Sequence, residues 1–356
     1  MTNGLGWIQA VGAGQPVKVS SPRRTPGSRV AGFLDSGLRR NDGLTRSLAL
    51  ATALALLAGC ASLPDITPYR DATVQLRSTV LVGGHAVESG LLSAAASLDT
   101  DAEKAQQLKG KSDQFAKDWR VRVEAVDGLV AYAEAINGIA LAGSEGAASA
   151  RTLADSLTRL VTSMGITLPA AGTLATATDA AAFVYGHIAA ARAAQSLDQA
   201  LASAQPVVDR VALLLAKDLQ ASMDVLRAAH EIQRTAIVSK YNNELGYLQA
   251  LNKERAKLYA KGSLEPAEEQ RLRQIAELYE ATKDWREPME KMRAESEATL
   301  KARMELISAT QAAVAEWAAA HGAIAVAVKE KRKVNVEALV QATLEARELI
   351  RRLRTP

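Results

Sequence analysis

Apolar residues recur along this chain at intervals of three, four and seven, the spacing that lines one face of an α-helix. A sustained stripe follows Thr100-Asp-Ala-Glu103, a capping-box pattern in which Thr100 caps the N3 amide while Glu103 reaches back. It runs from Leu108 through Phe115, Trp119, Val126, Leu129 and Ile136 to Ala140, and Gly143-Ser144 ends it. A shorter helix carries Leu153, Leu157, Leu160 and Met164 and stops at Gly165, where glycine accepts a left-handed backbone. Thr167-Leu-Pro169 breaks the chain before a weaker Ala-rich helix that includes Leu174, Val184, Ile188, Leu197 and Leu201.

The clearest architecture begins at Ser203-Ala-Gln-Pro206. The stripe from Val211 through Leu226, Ile237 and Tyr241 to Leu258 predicts one long arm over 206–261. Gly262-Ser263 then reads as a helix-ending glycine followed by an N-cap serine, with Glu265, Glu268 and Glu269 in the next first turn. The return stripe runs from Leu272 through Trp285, Met289, Met304 and Trp317 to His321 and Ile324. Two helices joined by so few residues run antiparallel, and each arm is ~85 Å long if unbroken. Pro288 lacks an amide for the ladder, so a kink is expected near Asp284 to Pro288. Asn335 caps a last amphipathic helix with Leu339, Leu344, Leu349 and Leu353. Near the other end, Pro68 opens the first helix, which Gly83-Gly84 and Gly90 are expected to bend or split. No strand-like alternation of useful length occurs. The predicted fold is all-α: an elongated antiparallel helical bundle with a long coiled-coil-like helical hairpin. Residues 68–204 supply N-terminal helices that pack alongside the hairpin or bundle at its base, and 205–356 supply the hairpin and the C-terminal helix.

One stretch is of a different kind. Ser47 to Ala58 is a continuous apolar run, preceded by Arg39, Arg40 and Arg46, and it leads into Leu57-Ala58-Gly59-Cys60. The run has signal-peptide length and falls short of the ~20 apolar residues of a spanning helix. Cys60 is the only cysteine in the chain. These residues resemble the lipobox of bacterial lipoproteins. The resemblance implies that 44–59 is a removable signal peptide and that Cys60 becomes the mature N-terminus, acylated on its sulfur and its new amine. Ala61, where aspartate would favour the inner membrane, implies the periplasmic face of the outer membrane. The resemblance covers residues 46–61 alone; the competing reading is an ordinary secretory signal, or a buried apolar helix with an incidental cysteine. Residues 1–43 show no periodicity and read as a mis-assigned start or a disordered leader. Residues 60–67, with Pro64, read as a tether whose seven residues after Cys60 reach ~25 Å.

The leader changes the charge picture. Of 43 Lys and Arg and 39 Asp and Glu, seven and two fall in residues 1–60, which leaves 36 against 37 and a net charge of −1. A near-neutral exported chain gives no basis for binding nucleic acid. With its only cysteine acylated the mature chain holds no disulfide, so packing must supply its stability. Among the remaining apolar segments the best candidate for a second span, Ala170 to Ala191, is rich in weakly apolar alanine and carries Asp179 and His187, and none qualifies.

Candidate chemistry is sparse. His230-Glu-Ile-Gln-Arg234 opens like a zinc-protease helix, but Arg234 stands where the second histidine must be. His85, His187 and His321 fall on separate predicted helices, so no metal or other cofactor is expected. Neither a Gly-x-Ser-x-Gly elbow nor a phosphate-binding glycine loop occurs. Carboxylates such as Glu295 and Glu297 read as solvated groups on a charged face. Lys329 to Lys333 and Arg347, Arg351, Arg352 and Arg354 read either as contacts to lipid phosphates or as cations favoured at helix C-termini. The functional expectation is a non-enzymatic, lipid-anchored scaffold or adaptor that binds an envelope or periplasmic protein, or a second copy of itself, through its long helices. The alternatives are an anchored inhibitor or immunity-type protein, and a carrier of an apolar small molecule.

Overall fold

The computed structural model describes residues 63–99, 101–165 and 179–354. The lipobox residues Leu57 to Cys60, together with Thr100, Thr167 to Pro169 and Leu174, lie outside the described residues. All of the described chain lies in one compact unit, Ala61–Pro356, and it is an all-α helical bundle. Among the described residues there are nine helices and no strand; a lone antiparallel bridge joins Gly146 to Ser196. The helices are α1 (Thr67–Ala96), α2 (Ala102–Leu141), α3 (Ala147–Ser163), α4 (Asp179–Ala193), α5 (Leu197–Lys240), α6 (Asn242–Tyr259), α7 (Pro266–Ala281), α8 (Lys283–Glu330) and α9 (Glu337–Arg354).

The axis of the bundle is the antiparallel pair α5 and α8. Gln205 donates to the carbonyl of Ala318 at 3.0 Å, Gln311 donates to that of Ala216 at 3.2 Å, and Tyr241 stacks on Trp285 with ring centroids 6.2 Å apart. Helix α1 packs on this pair and against α2 and α9, while α3 and α4 cover the flank of α5. Stacking of Tyr69 on Trp317 at 6.3 Å shows α1 running opposite to α8. The starts of α1, α3, α5 and α9 therefore gather at one end, hereafter the base. Leu197 donates its amide to the Glu145 carbonyl there at 2.8 Å. One core unites the N-terminal helices with the lower hairpin, with Leu129, Leu157, Leu201, Val208 and Trp317 fully buried.

Several helix ends lie where the sequence places them. Gly143, Gly165 and Gly262 have φ of +63°, +76° and +75°, and Asn335 accepts the amide of Glu337 at 3.1 Å. Others do not. The glycines of α1 do not split it, and Gly84 and Gly90 are sites of close approach. A Cβ on Gly84 would fall inside the Trp119 indole, whose Nε1 donates to the Val80 carbonyl at 3.1 Å. The helix with Pro206 begins earlier, at Leu197, so the proline lies inside α5. Burial of Leu197, Leu201, Ala204 and Val208 along one unbroken stripe outweighs the ~3 kcal/mol an interior proline costs. Asp101 rather than Thr100 caps α2, accepting the Lys104 amide at 3.0 Å. Glu265 rather than Ser263 precedes α7, and Glu268 accepts its amide at 3.1 Å.

The arms are also divided. The outgoing arm breaks at Tyr241, before Asn242 and Asn243, whose short amides compete with helical hydrogen bonding. The return arm breaks at Thr282, ahead of the expected 284–288. Pro288 weakens the ladder over that turn, and the chain yields where the Thr282 hydroxyl can take the Tyr279 carbonyl, at 2.7 Å. The tether is shorter than its composition implies. Leu63 and Ile66 are buried in the core, and Asp65 accepts the Thr67 amide at 2.9 Å. Among the described residues, helix α8 alone is long and apolar enough by composition to cross a membrane, contrary to the expectation that no further segment qualifies, but most of the apolar stretch is buried in the bundle.

Candidate functional site

The four histidines lie apart. His85, on α1, is exposed and 3.3 Å from Glu88. His187, on α4, meets Phe183 edge-on, with ring centroids 4.6 Å apart. No group of three or more His, Cys, Asp or Glu that could hold a metal ion occurs among the described residues. Cys60, the expected lipidation site, lies outside them.

His321 is wholly buried, and α8 holds it between α2 and α5. Its Nε2 is 2.8 Å from the Tyr132 hydroxyl and its Nδ1 is 2.7 Å from Gln205 Oε1. An amide oxygen can only accept, so Nδ1 carries the proton and Nε2 accepts from Tyr132. Gln205 Nε2 then donates to Asp209 at 2.7 Å and to the Ala318 carbonyl. Burial pushes the His321 pKa down to about 3 and raises that of Tyr132 well above its ordinary value. The imidazole is therefore neutral at physiological pH. Every polar atom of the imidazole is satisfied, which makes this a core network that fixes the register of three helices.

His230 is nearly buried on the α5–α8 seam. Its Nε2 lies 3.1 Å from Glu297 and its Nδ1 lies 3.2 Å from Ser296 Oγ, which also donates to Gln233 at 3.1 Å. Serine, histidine and a carboxylate thus meet, as in a hydrolase. However, Ser296 sits in the middle of α8, where the helix itself occupies the backbone amides that an oxyanion would need. The cluster acts as a polar clamp between the arms. Glu297 is its exposed end, and Glu295 pairs with Lys291 at 3.9 Å.

The hairpin tip has other properties. Leu251 is the buried residue of α6 and Ile275 that of α7, so these helices carry little core of their own. Arg271 grips Glu254 through two bonds of 2.8 and 2.9 Å, which holds the Glu254 carboxyl below its ordinary pKa. Lys261 pairs with Glu268 around the turn. Arg286 and Arg255 lie 4.5 and 5.4 Å from the Tyr279 ring centroid. Tyr247 and Tyr259 stand 46% and 68% exposed. At the base, Lys329, Lys331 and Lys333 are exposed, and Arg332 pairs with Glu330. On α9, Arg351 and Arg352 both bind Glu348 and draw its carboxyl down to about 2. Met289 and Trp317 of the return arm belong to the packed interior.

Periodicity placed His321 and His230 on apolar faces but gave no sign of Tyr132, Gln205 or Ser296 as their partners. Those contacts span 66 to 189 residues of chain, beyond the range of local patterns. Compared with known protein families, curated proteins and solved structures, the chain matches none.

Proposed function

We propose that this protein is a lipid-anchored, non-catalytic scaffold or adaptor at the periplasmic face of the outer membrane, and that its hairpin tip engages a protein partner. The observation that carries this reading is the position of the tip. The described chain enters at the base through Leu63, three residues after Cys60, whereas α6 and α7 lie beyond the far ends of α5 and α8. Acyl chains on Cys60 would hold Leu63 within ~10 Å of the lipid. Helix α5 alone then carries the chain a further ~66 Å. Several acyl chains on one residue make such anchoring firm.

Exposed Tyr247 and Tyr259, together with Arg255, are the residue types that dominate protein interfaces. They sit on helices with little core to lose. Replacing Asn242–Ala281 by a short Gly-Ser link should abolish capture of the partner by crosslinking while thermal unfolding of the remaining bundle stays cooperative. Capture that survives this replacement removes the tip from the proposal. The anchor has its own test: labelled palmitate should appear on the mature protein and vanish with Cys60→Ser. Label that persists in that variant sinks the anchoring.

A further inference from the structure

Beside the His230 clamp lies a groove of about 560 Å³ between α1, α5 and α8. One end is formed by Gly90, Leu226 and Arg303, and the other reaches Ile237 and Met292. Along α8, Met292 and Arg303 are separated by ~16 Å. Leu226, Ile237, Met292 and Leu300 supply apolar wall along that length. His230, between the two ends, has both ring nitrogens engaged and leaves none free for a ligand.

Arg303 is the unusual member. It is half-buried, and burial lowers its pKa from the ordinary value, with no carboxylate among the described residues beside it to raise it. Arg122 and Arg271, by contrast, each hold a carboxylate at 2.8 to 2.9 Å. Partly desolvating a cation without a counter-ion is unfavourable, and an anion in the groove would reverse that cost. Leu226 packs directly against Gly90 at this end, close to the guanidinium. A Cβ there would stand 2.5 Å from Leu226 Cδ1 and 3.5 Å from Arg303 Nη1. Glu295, which also lines the groove, repels an anionic head and so favours the Arg303 end for it.

The geometry points to a binding site for an amphiphilic anion, an alkyl carboxylate or alkyl phosphate, whose head takes the Arg303 fork and whose chain lies along Leu300, Ile237 and Met292. A planar guanidinium matches either head group through paired hydrogen bonds. This inference stands apart from the anchored-scaffold reading and survives if that reading fails.

The test uses the full-length chain with Cys60→Ser, so that no attached acyl chain competes. Calorimetric titration is made with dodecanoate, dodecyl phosphate, dodecanol and inorganic phosphate, each amphiphile below its micelle concentration. Both amphiphilic anions should saturate at one per chain, with dodecanol and inorganic phosphate at least about ten-fold weaker. Arg303→Gln should weaken both anions by at least about ten-fold and leave dodecanol unchanged. Thr299→Trp, on the exposed rim, should obstruct all three alkyl ligands while circular dichroism shows the fold intact. Failure of the anions to saturate overturns the site. Equal binding of the anions by Arg303→Gln overturns the role of the arginine, and equal binding of dodecanol or inorganic phosphate overturns the amphiphile assignment.

Discussion

Protonation of His321 should destabilise the bundle in mildly acidic solution. The imidazole titrates near 6.5 in an unfolded chain and near 3 in the folded one, because burial disfavours its charged form. Between those values the unfolded state holds the extra proton, so stability rises with pH and is lost as pH falls from 6.5 toward 3. At about 1.4 kcal/mol for each pH unit, the loss at pH 5 is about 2 kcal/mol. That moves a urea midpoint by roughly 0.5 M for a chain of this size. The charged groups near the imidazole do not oppose this: Tyr132 from α2 is neutral, and Asp209 from α5 is reached only through Gln205. The assay is urea unfolding at pH 7 and pH 5 of the parent and of His321→Gln. The variant should start less stable at pH 7, through imperfect bonding to Tyr132 and Gln205, yet lose about 2 kcal/mol less than the parent on acidification. Equal losses in the two proteins would refute the neutral, buried assignment.

Other substitutions test the packing. Leu157→Ala empties a fully buried site and should cost about 3 kcal/mol, read from denaturant unfolding. Gly84→Leu must displace Trp119 from the Val80 carbonyl and should cost at least about 2 kcal/mol, whereas Gly138→Ala, with open space at its Cβ, should be neutral or stabilising by up to ~1 kcal/mol. Arg271→Ala releases Glu254 across the tip. It should leave the global unfolding midpoint in place while amide exchange over Asn242–Ala281 accelerates.

Element type and the local stops were legible because they depend on neighbours in sequence. Apolar spacing identified the stripes of α2, α5 and α8, and the three positive-φ glycines marked the ends of α2, α3 and α6. Residues whose meaning depends on a distant partner were misread. Gly84 looks like a helix breaker until Trp119 fills the space its side chain would take. Pro206 looks like a helix start until the buried stripe from Leu197 carries the helix through it. Leu63 and Ile66 look like tether until the core accepts them. Arg303 is one of many arginines in the sequence, and its lack of a carboxylate partner among the described residues emerges only when α1 and α5 close around it.

The interruptions at Tyr241 and Thr282 meet at the same level of the hairpin, as the contact between Tyr241 and Trp285 shows. At both, the helical ladder has already shortened to three-residue bonds, Tyr241 to Val238 and Thr282 to Tyr279, each at 3.1 Å. Bending compliance concentrates at such points because little regular bonding must be broken there. Sideways force on the last ~27 Å of the rod is therefore absorbed as a swing about an aromatic pivot, and the histidine networks below are spared the strain.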